Sequence, residues 1–263
     1  MISTRRVSGV EISCWMNDGG FIEGRRSLAF IHGAGRNHAI WECQYGHLQH
    51  RFNIAALSLP GHHPSGGTGE ESVGSYSRWV KESILALGLA KPVLIGHSLG
   101  AAICLDCACR YPDAFTGIVL AGGGARMPVN PVILEGVRHD PDATLALSIK
   151  FGVARENRER VGSLLTSVLY RASPDVLYGD YLACARFDAA KELISVMLPA
   201  LLICGLEDRL TPPAYTELLG GEIRGSKTVL IEGAGHYAML ENVEEFNRAL
   251  LGFLEGIDRE KNG

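Results

Sequence analysis

No stretch of this chain strings together the 18 or so apolar residues of a membrane span, so no membrane partner is expected. Neither sign of charge dominates: 25 basic against 29 acidic residues leave a net charge of -4, without the basic surplus of a nucleic-acid binder. Met1 to Cys14 contains Arg5 and Arg6 but no apolar run behind them, so no secretory signal is expected and the chain is expected in the cytoplasm. Seven cysteines is an odd number, and Cys14, Cys43, Cys184 and Cys204 are scattered singly, which suits reduced thiols rather than disulfides. Cys104, Cys107 and Cys109 stand close together, yet in a helix the first two share a face while Cys109 points elsewhere. A structural role is expected of them, and no metal or other cofactor. Repeats and low-complexity segments are also missing.

What is present is a series of short apolar runs, each ending at or just before a turn residue: "SLAFIHG" (27–33), "FNIAALSLPG" (52–61), "PVLIGHS" (92–98), "GIVLAGGG" (117–124), "ALLICG" (200–205) and "KTVLIEGAGH" (227–236). They read as strands buried on both faces. Helix-length segments separate most of them, including Ser75 to Leu87, Leu99 to Arg110 and Val243 to Leu254, which is the alternation of a parallel sheet with helices on both faces. Val10 to Trp15 adds an antiparallel strand. The alternation breaks from about Ala125 to Leu198, where proline and glycine punctuate several short helical segments. That stretch is expected to be a helical insertion over the C-terminal edge of the sheet, with the charged run "RENRER" (155–160) on its solvated face.

Within "KPVLIGHSLGAAICL" the residues Gly96, Ser98 and Gly100 form a G-x-S-x-G pattern. With 32 glycines in 263 residues, chance places roughly one such match in every four chains of this composition, so only its context is informative. Here the serine lies between a buried strand and a helix, the setting of a strained strand-to-helix turn that presents a nucleophile at a helix N-terminus. A serine hydroxyl needs a base, which at neutral pH means histidine. Of nine histidines, six precede the elbow, His97 adjoins Ser98 and cannot curl back onto it, and His139 lies in the insertion. His236 remains, in the glycine-rich loop after the last strand. An acid should orient it. Glu207 and Asp208 both follow the strand Ala200 to Cys204, and the shorter Asp208 is the easier to hold rigidly. Donors for an oxyanion are expected from the backbone N–H groups of Leu99 and of Ala34, in the loop after "LAFIHGAG".

In this order the four elements resemble the α/β-hydrolase fold family, over nearly the whole chain: "FIHGAG" is similar to the oxyanion loop, "IGHSLGAA" to the elbow, "CGLEDRLTPP" to the acid turn, and "GAGHYAMLENVEEFNRALLGFL" to the histidine loop and final helix. The resemblance implies an α/β, doubly wound, mostly parallel eight-stranded sheet with a helical cap after the sixth strand. On that basis residues 1–124 and 191–263 would form the core and 125–190 the cap. It also implies a triad of Ser98, Asp208 and His236. Two departures stand in the loop after the second parallel strand, Ser58 where Asp is usual and His63 where Gly is usual. Because Ser98 replaces the elbow Asp of dehalogenases and epoxide hydrolases, and "HGAG" lacks a third consecutive glycine, the chain resembles the carboxylesterase and C–C hydrolase branches.

Three functions remain open: a serine hydrolase of carboxylic esters of small or medium acids, a C–C hydrolase of a vinylogous diketone with Arg126 binding its acid, and a non-catalytic ligand-binding member. The partner is expected to be a small ester-like molecule, and the protein a monomer or homodimer. Asn37, His38, Trp41 and Arg126 are candidates for the pocket wall. Leu145, Leu147, Leu164, Leu165 and Leu169 are candidates for an acyl pocket.

Overall fold

The computed structural model describes residues 1–168 and 172–261; Leu169 therefore lies outside the described residues. The chain opens with an antiparallel pair, β1 (Ile2–Val7) and β2 (Val10–Met16). The remaining strands are β3 (Ser27–Ile31), β4 (Asn53–Leu57), β5 (Val93–His97), β6 (Gly117–Ala121), β7 (Ala200–Gly205) and β8 (Lys227–Ile231). They form one eight-stranded sheet in the order β1-β2-β4-β3-β5-β6-β7-β8, parallel from β4 onward. β3 through β7 read as unbroken apolar runs because both faces are covered: Ala29 and Ile31 pack into one core, Leu28 and Phe30 into the other. The six expected runs are all strands. The edge strand β1 is additional to these runs and to Val10–Trp15; most of it, with Arg5 and Arg6, is exposed, so it carries no hydrophobic period.

The helices are α1 (Glu42–Leu48), α2 (Val73–Leu87), α3 (Leu99–Arg110), α4 (Pro131–His139), α5 (Pro141–Gly152), α6 (Arg158–Ser163), α7 (Pro174–Arg186), α8 (Pro213–Glu222), α9 (Ala238–Glu241) and α10 (Val243–Lys261). Between β6 and β7 the described residues contain helices and turns but no strand. Three of these helices start in the same way, with a polar cap followed by proline: Asn130, Asp140 and Ser173 accept the N–H groups of Val132, Ala143 and Val176. Proline at the first helical position has no N–H to leave unpaired, and its φ suits the helix. The run 155–160 is not merely a solvated face, since Arg158 donates to the Lys150 and Val153 carbonyls and Arg160 to those of Leu240 and Glu241.

The parallel strands deliver their following loops to one edge of the sheet. The tightest junction there is β5 to α3, where a Cβ on Gly96 would stand 2.1 Å from the Gly100 carbonyl oxygen. A Cβ on Gly100 would stand 2.3 Å from the Ile31 oxygen. Gly96→Ala should therefore destabilise by more than about 3 kcal/mol or prevent folding. Gly252, exposed in α10 with nothing within 4 Å of an added Cβ, is the control. Gly252→Ala should gain about 0.5–1 kcal/mol in urea unfolding. Equal stability of the two variants would contradict the crowding.

Candidate active site

Ser98 caps the N-terminus of α3 with φ 54° and ψ −116°, a left-handed-side conformation that a non-glycine residue adopts only when its surroundings impose it. The imposing contacts are the Gly96–Gly100 approach and the bond from the Ser98 N–H to the Ala121 carbonyl at the end of β6 (2.9 Å). Half-buried, Ser98 lines a cavity of about 300 Å³ together with Gly33, Ala34, His97, His236 and Tyr237. The Ala34 N–H has no acceptor among the described residues. The Leu99 N–H is at the first position of α3, where the helix offers none. The lack of a side chain at Gly33 lets this loop come close: a Cβ there would lie 2.8 Å from His97 Nδ1 and 3.2 Å from Ser98 Cβ.

Asp208 is buried in the turn after β7, and its carboxylate is saturated. Oδ1 accepts the N–H groups of Leu210 (2.8 Å) and Thr211 (2.9 Å), and Oδ2 accepts the Thr211 hydroxyl and His236 Nδ1–H (both 2.8 Å). Burial alone would raise its pKa, but the adjoining imidazole and these donors outweigh burial and hold the carboxyl below the usual range. Glu207, the alternative, is exposed. Because Nδ1 gives its proton to Asp208, His236 is left with a lone pair on Nε2. The His236 loop is tied down from three sides: its N–H donates to Gly152 at the end of α5 (2.5 Å), its carbonyl accepts from His97 Nε2 (2.9 Å), and Glu241 accepts the N–H groups of Tyr237 and Ala154. Gly122, with φ +59°, runs beneath the pair, where a Cβ would come within 3.1 Å of His236 Nδ1.

The expected pocket-wall residues behave differently. Asn37 caps the turn ahead of α1 through Ala39 and donates to the His63 carbonyl; His38 bonds the Ser58 hydroxyl; Trp41 is fully buried against Phe30 and Phe246. All three point into loop and core packing, outside the cavity lining. Arg126 is 65% exposed and pairs with Asp188 across the start and end of the helical stretch, so it too lies outside the cavity. Of the proposed leucines, Leu145 lines a second lobe of about 150 Å³, Leu165 is in the core, Leu164 is half-buried and Leu147 is exposed. The lining on the helical side is instead Met127, Val129, Ile133, Phe151 and Tyr181. Cys104 and Cys107 are buried apolar packing in α3, and no group of three His, Cys, Asp or Glu among the described residues is arranged to hold a metal.

Two features escaped the sequence. Arg36, two residues beyond Ala34 in the loop after β3, is buried and lines both lobes. Asp180, from α7, is fully buried and accepts from the Gly35 N–H (2.8 Å), the Tyr76 hydroxyl (2.5 Å) and His62 Nε2–H (2.9 Å). His62 Nδ1 lies 3.0 Å from the Pro60 carbonyl, so both ring nitrogens face acceptors and both must carry protons. His62 is therefore an imidazolium. Burial opposes that charge, but the Asp180 carboxylate outweighs burial and raises the His62 pKa. No local sequence signal pairs Gly35 with a carboxylate 145 residues away.

Comparisons with known proteins agree with this architecture. The model of the alpha/beta hydrolase family matches residues 28–249. A pimeloyl-(acyl-carrier protein) methyl ester esterase from Neisseria meningitidis serogroup A is 24% identical over 254 residues, covering 90% of this chain and 80% of the relative. Among solved structures, one described as a thermophilic esterase has a TM-score of 0.82 and 32% identity, with 98% of both chains covered. The enol-lactonase from Burkholderia xenovorans LB400 has a TM-score of 0.89 at 20% identity, covering 96% of this chain and all of that one, and shares the fold.

The buried His62–Asp180 pair sets a pH-dependent expectation. A raised histidine pKa gives stability that is fully present below the unfolded value and is lost as pH rises through the folded one. Asp180→Asn should cost about 3–5 kcal/mol near neutral pH, and the gap to wild type should narrow with rising pH. Urea unfolding of both proteins between neutral and alkaline pH measures it; a gap that widens toward alkaline pH would contradict the imidazolium.

Proposed function

The chain belongs to the alpha/beta hydrolase family, and on that premise we propose that it is a serine hydrolase cleaving carboxylic esters of small or medium organic acids. The observation that carries the proposal is convergence: a strained serine, a histidine whose Nδ1 is engaged by a buried carboxylate, and the free Ala34 N–H border one cavity. Ser98 Oγ attacks the ester carbonyl while His236 Nε2 takes its proton. The amides of Ala34 and Leu99 stabilise the oxyanion, and His236 returns the proton to the leaving alcohol; water then releases the acid from the Ser98 acyl-enzyme by the same steps. Ser98 Oγ has no hydrogen-bond partner among the described residues, and such contacts commonly tighten only when substrate binds. Esterase relatives support ester hydrolysis in general.

Residues 125–190 act in this scheme as a cap over a core of 1–124 and 191–263, closing the cavity with Met127, Ile133 and Phe151. A volume of about 300 Å³, at the small end of ligand pockets, suits a short ester better than a long acyl chain. The C–C hydrolase alternative relied on Arg126, whose pairing with Asp188 outside the cavity leaves it without a supporting contact. A purely ligand-binding role would leave the saturated Asp208–His236 pair without a purpose.

Ser98→Ala should remain folded and lose on the order of 10⁶ in kcat, and a serine-directed phosphonate should label wild type once, at Ser98. Retention of more than about a tenth of the activity would refute the nucleophile. Asp208→Asn should lose ~10⁴ in kcat toward 4-nitrophenyl acetate, as comparable triads do, whereas Glu207→Gln should be close to wild type. The reverse order would move the acid to Glu207.

A further inference from the structure

Arg36 follows the expected oxyanion donor Ala34 by two residues, and its environment is unusual for a cation. Arg36 is 5% exposed, yet among the described residues its guanidinium makes a single hydrogen bond, from Nη1 to the Leu165 carbonyl (3.0 Å). It also faces the Tyr237 ring at 5.8 Å from the centroid. Among the described residues it forms no ion pair to a carboxylate. A guanidinium has five N–H donors, and removing it from water without an anion is costly. The other buried charges behave in the opposite way: Asp208 takes four hydrogen bonds and Asp180 pairs with an imidazolium. Arg36 borders the cavity of Ser98 and His236, which has a second arginine, Arg209, and no Asp or Glu in its lining; one exposed acid, Asp142, borders the smaller lobe.

We propose that Arg36 is a substrate-binding residue that receives a carboxylate of the ligand, so that the preferred esters carry a free carboxylate besides the scissile bond, as in a monoester of a short dicarboxylic acid. The assignment rests on the ester-hydrolase function proposed above and narrows its substrate class. The planar fork of arginine matches the two carboxylate oxygens, and a ligand of this kind would supply the charge that the protein withholds. The shared cavity limits the ligand to a short one, with its carbonyl at Ser98 and its carboxylate at Arg36. Arg126, the acid-binding candidate raised by the sequence, already has its anion in Asp188.

The test compares mono-4-nitrophenyl glutarate with the neutral 4-nitrophenyl butyrate. Wild type should favour the glutarate ester by at least tenfold in kcat/KM, and Arg36→Met should reduce that ratio at least tenfold, chiefly through KM. Arg36→Lys, which keeps the charge and loses the fork, should fall between them. A fold-supporting role for Arg36 alone would lower both substrates together and leave the ratio unchanged, which would overturn the proposal. Should Arg36→Met fail to fold, wild type still decides: glutarate should compete with butyrate ester hydrolysis and glutaramide should not, and equal inhibition by both would refute the site. If wild type cleaved neither ester, ester hydrolysis itself would fall; glutarate binding, read by calorimetry on Ser98→Ala, would then decide Arg36 separately.

Discussion

Gly100 fits against the carbonyl oxygens of Ile31 and His32 with no room for a single carbon between them, and the rest of the site is built around that approach. It brings the first turn of α3 onto the end of β3, so the amide after Ser98 and the loop holding Ala34 are placed by one contact rather than two. It also explains why Ser98 tolerates a positive φ: the strand on one side and the helix on the other leave the connecting residue no relaxed alternative. Strain of this kind costs of order 1–3 kcal/mol, and the buried sheet around it, with β3 through β7 covered on both faces, is large enough to hold it.

The helical stretch between β6 and β7 is bound to this machinery by polar contacts, not by apolar packing alone. Asp180 reaches from α7 to the N–H of Gly35, the neighbour of Ala34, while the Gly152 carbonyl takes the N–H of His236. Away from water each of these groups would be costly to leave unpaired, so moving the helices off the core means losing bonds at both the loop after β3 and the His236 loop. The insertion therefore shapes the cavity and fixes the positions of the groups that border it.

The elements legible in the sequence are those whose information is local. Buried parallel strands announce themselves as apolar runs, and asparagine, aspartate or serine before proline marks the starts of α4, α5 and α7. The turns that carry Ser98, Asp208 and His236 are legible because each follows a strand and has its own glycine or proline signature. Direction is a different matter. Asn37, His38 and Trp41 stand one to five residues beyond Arg36 in the same loop, yet only Arg36 faces the cavity, because a turn sends successive side chains to opposite sides. Exposed β1 carries no period to detect, and Asp180 acquires its meaning only when α7 is laid across the loop after β3.

Four histidines crowd the elbow, and their hydrogen-bond partners give them separate chemistries. His32 accepts the Leu59 N–H at Nε2 and donates from Nδ1 to the Gly33 carbonyl, so it is neutral; burial, with repulsion from His62, pushes its pKa well down. His62 faces two acceptors and is a cation. His97 donates from Nε2 to the His236 carbonyl, and its Nδ1 is buried without a partner; burial first, then the neighbouring His236 imidazole and the Arg36 guanidinium, push its pKa well down and keep it neutral. That leaves His236, whose Nδ1 is committed to Asp208 and whose ring borders the cavity, as the one of the four with a basic nitrogen free to meet a ligand. His236 is set apart here less by its own sequence position than by the partners that occupy the nitrogens of His32 and His62 and by the burial of the unpartnered His97 nitrogen.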